Sequence, residues 1–325
     1  MIFRTVLIAF CLMLAACSGD QAQEDKRAQA QAYYRTTNTV IPGSDEIIRF
    51  PALLAPDPSH PKPNLDRKAY FGDLHVHTTL SFDASAFGTT ASPADAYRYA
   101  RGEAIRHPSG FDVKLAQPLD FYAVTDHGVF LGLINDAEDT STAFSQYELA
   151  KEYHNINESV DGGLLDLAKR SKIFGNFISD VVAGLLDGTI DNSVVNKVST
   201  SAWSKTVEAA DEAYVPGTFT TFAGYEFTSS TAEREALHRN VIFRGTERLP
   251  ALPFTRFNSI NPEGLWDWMD KLRDQEIESL AIPHNSNGSN GAMFMFTDWE
   301  GKAIDQEYAD QRLRNEPLVE ITQVK

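Results

Sequence analysis

The stretch YFGDLHVHT puts two of the chain's eight histidines, His75 and His77, one residue apart. Along an extended strand, side chains alternate faces with a period of two. Both imidazoles therefore project one way while Leu74 and Val76 face the other. Two nitrogen donors on one face can chelate a divalent ion; a chance pair on an exposed strand is the alternative. Other segments repeat the signal. AVTDH sets Asp126 and His127 after a buried run, and FAGYEF sets Glu226 inside an apolar strand. An ionised carboxylate is expensive there unless it is paired or metal-bound. ALHRNVIF starts a strand at His238, and LAIPHN ends one at His284. A single buried histidine is usually a satisfied core residue, but five such positions in series point to one metal centre. His60, His107 and His154 fall outside the pattern and read as surface or loop residues.

These groups need elements that bring them together. Short apolar strands alternate with helical stretches. SPADAYRYARGEA starts a helix with Ser92 at the N-cap, Pro93 in the first helical position and Asp95 in the first turn. NPEGLWDWMDKLRDQ repeats the signal with Asn261 and Pro262. Such alternation, with chemistry at strand ends, predicts an α/β fold, either a barrel or a doubly wound sheet. Residues 128–215 break the rhythm. In IFGNFISDVVAGLL, Phe174, Phe177, Ile178, Val181, Val182 and Leu185 follow helical spacing. They predict an inserted helical subdomain packed on the barrel, or else a lid over the site.

Bulk composition narrows the partners. Among 325 residues, 42% are hydrophobic and 23% charged, as in a globular protein with a sizeable core. A formal charge of −16 without a Lys/Arg cluster argues against nucleic acid. A small anionic substrate stays compatible if bound metal ions reverse the local field. At the N-terminus, Arg4 precedes VLIAFCLMLAAC, a run too short to span a bilayer as a permanent helix. LAAC resembles the bacterial lipobox, in which Cys17 is acylated; a plain signal peptide is the alternative. The expectation is a signal over 1–17 and a flexible tether and approach segment over 18–68. The lipid anchor would hold the protein on the periplasmic side of the envelope, with Ser18 favouring the outer membrane. With Cys11 cleaved off and Cys17 lipidated, the mature body has no thiol, so any metal site must use histidine and carboxylate.

The order H-x-H, T-D-H, strand Glu, His and P-H-N resembles the polymerase-and-histidinol-phosphatase (PHP) superfamily of metal-dependent phosphoesterases. YFGDLHVHT, PLDFYAVTDH and PLVEITQVK are similar to a large bacterial family known as domain of unknown function 3604. The similarity runs from about residue 69 to the end. It implies a distorted seven-stranded TIM-like (β/α) barrel over 69–325, with two or three divalent ions (Zn, Mn or Fe) at the C-terminal ends of its strands. By this resemblance His75 and His77 hold the first metal, and Glu226 bridges it to a second bound by His238 and His284. His127 belongs to a third metal, where Asp83 stands at a position that often carries histidine. Asp83 is a competent oxygen ligand for harder ions and equally a turn residue. Asp126 and Asp73 are read as orienting residues behind the ligands.

The superfamily's closing Asp-x-His pair is missing, since no histidine follows His284. The expectation is a C-terminal truncation, with a barrel lacking its last strand and a chain that is marginal alone or oligomeric. The implied activity is hydrolysis of a phosphate ester, with Glu226, His238 and His284 as the catalytic group. Arg239 and the Asn285 loop, HNSNGSNG, are candidate anion contacts, against an ordinary surface arginine and an ordinary turn. An amidohydrolase-like reaction on a non-phosphate substrate, or an inert surface lipoprotein, are the competing readings.

Overall fold

The computed structural model of the chain describes residues 24–30, 32, 47–49, 68–158, 163–233 and 235–323. The signal and lipobox readings, Cys17 included, lie outside the described residues, as does His60. The architecture is mixed α/β.

In chain order the elements begin with a helix over residues 24–30 (α1), β1 (Ile47–Arg49), β2 (Gly72–Asp73), α2 (Phe82–Ala86) and α3 (Pro93–Ala100). Next come β3 (Ile105–Arg106), β4 (Asp112–Val113), β5 (Phe121–Tyr122), α4 (Leu133–Glu138), α5 (Leu164–Leu186) and α6 (Asn192–Ala213). The remainder is β6 (Thr220–Thr221), β7 (Gly224–Phe227), β8 (Arg239–Phe243), β9 (Arg248–Pro250), α7 (Pro262–Arg273), β10 (Ser279–Pro283) and α8 (Gln306–Asn315). Among the described residues, no helix is long and apolar enough to cross a membrane.

Two three-stranded sheets carry the site. In one, β2, β5 and β6 run parallel; in the other, β8 runs antiparallel to both β7 and β10. Backbone hydrogen bonds continue past the short strands and link the two sheets. Thr125 N–H donates to Val76 O (2.8 Å), Phe222 N–H to Tyr122 O (3.1 Å) and Glu226 N–H to Asp126 O (2.9 Å). Beyond β10, Glu320 N–H donates to Pro283 O (3.0 Å). The resulting order of segments is 72–77, 121–127, 220–227, 239–243, 279–284 and 320, which is also their order along the chain. The assembly curls: Asn240 Nδ2 reaches Leu74 O at 3.0 Å. Among the described residues no backbone ladder joins the first segment to the last. Strict strand–helix alternation fails at β8, which returns against β7 through a loop instead of a crossover helix.

The two faces of this assembly differ. On the concave face Ala123, Ile242 and Ile282 form a small apolar layer with Leu74, Phe222 and Leu280. On the other face Tyr225, Phe227, Val241, Phe243 and Ala281 meet Trp203 and Val207 of α6 and Leu265, Trp268 and Met269 of α7. Capping stops α3 and α7 from fraying. Ser92 and Asp95 exchange bonds as a capping box at α3, and Asn261 accepts from Glu263 N–H at α7.

The expected insertion over 128–215 divides in two. α6 lies between the parallel strands β5 and β6 and packs on the convex face, so it serves as their crossover helix. Residues 133–190 have their own core, in which Phe144, Tyr153, Phe177, Val181 and Ile190 are buried. Arg170 is buried in this unit and fully engaged, donating to Asp166 (2.8 Å), Asn157 (2.8 Å), Ile156 O (2.9 Å) and Ala86 O (3.2 Å). Part of the segment expected as a tether has contacts of its own. α1 docks on this unit, with Arg27 Nη2 2.9 Å from Asp180 Oδ2 and Lys26 Nζ 3.2 Å from Asp187 Oδ2. β1 pairs with β9. Buried Ala30 and two ion-paired basic residues hold α1 against a surface, which a free linker lacks.

Two expected outcomes test this packing. A Cβ on Gly72 would lie 2.3 Å from Phe121 O on the neighbouring strand. Gly72→Ala should therefore cost ~1–3 kcal/mol through overpacking; a denaturant midpoint equal to wild type would show that β2 gives way freely. Burial pushes the Glu138 carboxyl up to about 7, against the opposing pull of Asn157 and Arg170. A carboxyl raised in the folded state makes stability fall as pH climbs from its unfolded value of ~4.3 toward that folded value. Glu138→Gln should flatten this part of the stability–pH curve; an unchanged slope would place the titrating group elsewhere.

Candidate metal centre

Each strand delivers its chemical group at the last concave-facing position above the apolar layer. Ala123 and Thr125 lead to His127, Phe222 and Gly224 to Glu226, Ile242 and Asn240 back to His238, and Leu280 and Ile282 to His284. The period of two thus stacks a polar tier on an apolar one. His75 and His77 arrive from the segment after β2, their ring centroids 5.5 Å apart.

Glu226 is the hub, only 1% exposed. Its Oε2 lies 2.9 Å from His77 Nε2 and 3.6 Å from His75 Nε2. Its Oε1 lies 2.5 Å from His238 Nδ1, 3.2 Å from His284 Nε2 and 3.3 Å from His127 Nδ1. Asp83 adds a second carboxylate on one flank, 3.2 Å from His77 Nδ1 and 3.3 Å from His127 Nε2. Four sets of three donors converge closely enough to hold an ion: His75, His77 and Glu226; His127, Glu226 and His238; His77, Asp83 and His127; and His75, His284 and Glu320.

The electrostatics follow from this crowding. Burial alone would raise the Glu226 carboxyl, yet His127, His238 and His284 outweigh it and hold it well below its ordinary value. Burial likewise opposes charge on His77, but Asp83 and Glu226 raise it well above the usual imidazole range. His284 goes the other way: burial lowers it to about 4, against Glu226. Its ring is fully buried; Nδ1 has no hydrogen-bond partner among the described residues, and Nε2 meets Glu226 Oε1 at 3.2 Å outside hydrogen-bond geometry. A buried imidazole whose Nε2 faces a buried carboxylate fits a metal ligand, because a cation between them would supply the partner that Nε2 lacks. Donors of nitrogen and oxygen alone suit Zn²⁺, Mn²⁺ or Fe²⁺.

A family model described as "Protein of unknown function (DUF3604)" matches residues 64–325. The chain belongs to that family. Neither the curated proteins nor the solved structures contain a match to it. The DUF3604 match spans the whole cluster, from His75 to Glu320.

Not every residue singled out from the DUF3604 chain's sequence reaches the centre. Arg239 turns to the opposite face, 2% exposed, with its Nε 2.7 Å from Glu316 Oε1 and its Nη1 2.5 Å from Leu237 O. Strand parity explains this: His238 and Asn240 point into the site, so the residue between them points away. Asn285 is buried in a left-handed turn at φ 65°. Side chains of its loop hold the chain end, with Ser286 Oγ donating to Ile321 O (3.0 Å) and Asn287 Nδ2 to Gln323 O (3.0 Å). Asp73 accepts from the backbone N–H of His75 (2.9 Å) and orients the main chain, not a ring. Asp126 touches neither ring of the pair beside it; it accepts from Thr78 N–H (2.5 Å) and Thr78 Oγ1 (2.7 Å). His107 and His154 stand apart, on Ser109 N–H and Ser145 O.

Three contacts were not anticipated. Thr228 Oγ1 bonds His127 Nδ1, Ser81 Oγ lies 2.8 Å from His77 Nδ1, and Glu320 Oε2 lies 2.7 Å from His75 Nδ1. PLVEIT carries for Glu320 the same signal as FAGYEF for Glu226, a carboxylate within an apolar run. Ser81 and Thr228 carry no such signal, because hydroxyls are common in turns.

Asp126 anchors the turn just after His77. Burial pushes its carboxyl up to about 6, while the bonds from Thr78 pull it down. Asp126→Ala should cost ~1–3 kcal/mol by leaving the buried Thr78 donors unpaired, and Asp126→Asn should recover part of that. Equal denaturant midpoints for all three proteins would mean that Thr78 has another acceptor.

Proposed function

We propose that this chain is a metal-dependent hydrolase of the PHP type, built as a distorted (β/α) barrel and acting on a phosphate ester. The observation that carries the reading is the buried Glu226 carboxylate facing five imidazoles, with both nitrogens of buried His284 lacking hydrogen bonds. Nitrogen and oxygen donors alone, converging on one buried carboxylate, support metal binding. The motif order H-x-H, T-D-H, strand Glu, His and P-H-N supports the superfamily.

Residues His75, His77, Asp83, His127, Glu226, His238 and His284 would hold two or three divalent ions. Ions bound there polarise a phosphoryl oxygen and bring the pKa of water toward neutrality. The chain's own groups divide the remaining work. Glu226 and His284 form the buried floor, too deep to meet substrate, and hold charge in place. His75, His77, Asp83 and His238 form the rim, each partly open to solvent. His238, its Nδ1 2.5 Å from Glu226 Oε1, is the rim imidazole that would position an ion against the substrate. The acidic chain, with its formal charge of −16, would attract an anionic ester only through the bound cations. In this reading the mature protein is lipid-anchored through Cys17 on the periplasmic side of the bacterial envelope.

The test is elemental analysis of the purified chain, followed by assays on phosphomonoester, phosphodiester, amide and lactone panels. Bound divalent ions and phosphate-ester turnover are expected in wild type. Glu226→Ala should lose both, with Glu226→Gln as the shape-preserving control and circular dichroism reporting the fold. A folded wild-type protein that retains no ion after incubation with Zn²⁺ or Mn²⁺ sinks the proposal. Turnover confined to amides or lactones would reassign the substrate.

A further inference from the structure

Glu320 belongs to none of the motifs that mark the centre, yet it makes the shortest contact to His75. Its Oε2 lies 2.7 Å from His75 Nδ1. A carboxylate at that distance draws the imidazole proton to Nδ1 and leaves the lone pair on Nε2. Nε2 is the nitrogen turned toward Glu226 Oε2, 3.6 Å away. Gln323 Nε2 sits 3.3 Å from the same His75 Nε2, an amide donor meeting an unprotonated nitrogen. Both neighbours thus select one tautomer.

The placement of Glu320 is built rather than incidental. Glu320 N–H bonds Pro283 O at 3.0 Å, extending the ladder beyond β10 by one segment. The loop after His284 then clamps the residues just beyond Glu320. Ser286 Oγ holds Ile321 O (3.0 Å), Asn287 Nδ2 holds Gln323 O (3.0 Å), and Gln323 N–H returns to Asn287 Oδ1 (3.4 Å). His284, immediately after Pro283, packs against His75 with ring centroids 4.1 Å apart and planes tilted by 40°. His75 is therefore gripped between a carboxylate and a ring that one structural unit supplies.

We propose that Glu320 is a positioning residue that fixes His75 as an Nε2 metal ligand, forming a carboxylate–histidine–metal unit with the loop over residues 285–288 as its brace. The proposal rests on the metal-centre reading above. Outer-shell carboxylates of this kind set the ring orientation and basicity of the ligand, and losing one costs ~10–100-fold in metal affinity. The competing role for Glu320 is direct ligation of a separate ion with His75 and His284, whose donor atoms lie within 4.8 Å of one another.

Two measurements on the full chain separate these outcomes. In the metal-free protein at alkaline pH, long-range ¹H–¹⁵N spectra should show His75 as the Nδ1–H tautomer, and Glu320→Ala should lose that preference. In chelator-competition titrations with Co²⁺, Glu320→Ala should bind ~10–100-fold more weakly with unchanged stoichiometry at saturation. Glu320→Gln keeps an acceptor for Nδ1–H and should restore most of the affinity and the ligand-field spectrum. Ser286→Ala with Asn287→Ala should fall in between. Wild-type tautomer and affinity in Glu320→Ala would overturn the proposal. So would one ion fewer per chain in both Glu320 variants, which marks a direct ligand. A wild-type protein with the Nδ1–H tautomer but no Co²⁺ binding would defeat the metal-centre reading and the ligand role of His75 with it, while leaving the Glu320–His75 bond established.

Discussion

A carboxylate without solvent must find positive charge or strong donors nearby, and Glu226 meets that demand in the middle of a sheet. Both its oxygens are taken up by imidazoles, and no Lys or Arg contributes to the cluster among the described residues. Imidazoles satisfy a buried anion only when they carry protons or share a cation with it. In the proposed reading a shared cation would also satisfy His284, which protonation does not favour in its buried setting. The rest of the site is arranged around that requirement.

Delivery of the ligands is a matter of register. Glu226 pairs with Asn240 across β7 and β8, and His127 bridges to Glu226 across the junction between the sheets. A shift of one residue in either pairing would turn the ligands to the convex face and bury apolar side chains among charges. The apolar layer beneath the cluster and the helices behind it therefore protect the chemistry by protecting the register. The helical unit over residues 133–190 joins this arrangement through Phe82, whose ring stacks 4.7 Å from His127 and 6.0 Å from Phe174 of α5. One wall of the candidate metal centre is thus continuous with that unit's own core.

Much of this was legible in the residues. The parity of His75 and His77, the strand-end positions of His127 and His284, the apolar setting of Glu226 and the caps at Ser92 and Asn261 all depend on local geometry. Arg239 shows the same rule neglected: adjacency to His238 suggested a shared site, whereas alternation puts neighbours on opposite faces. The Asn285 loop is a separate case. Its glycines and asparagines indicate a turn, but only the position of residues 320–323 reveals what the turn holds. Residues 24–30 read as tether because polar composition does not disclose a docking surface on α5 more than a hundred residues away.

The sequence by itself determined the chemical identity of the donors, the absence of thiols from the body of the chain, and the side of the strand on which Glu226, His238 and His284 stand. These depend on residue type and a period of two, which are properties of short segments. Tertiary structure alone decided which donors meet. It set His284 against His75 and Glu320, gave Asp83 to both His77 and His127, turned β8 against its neighbours and made α6 a crossover helix. Such choices depend on how strands far apart in the chain curl toward one another, and no local pattern records the direction or extent of that curl.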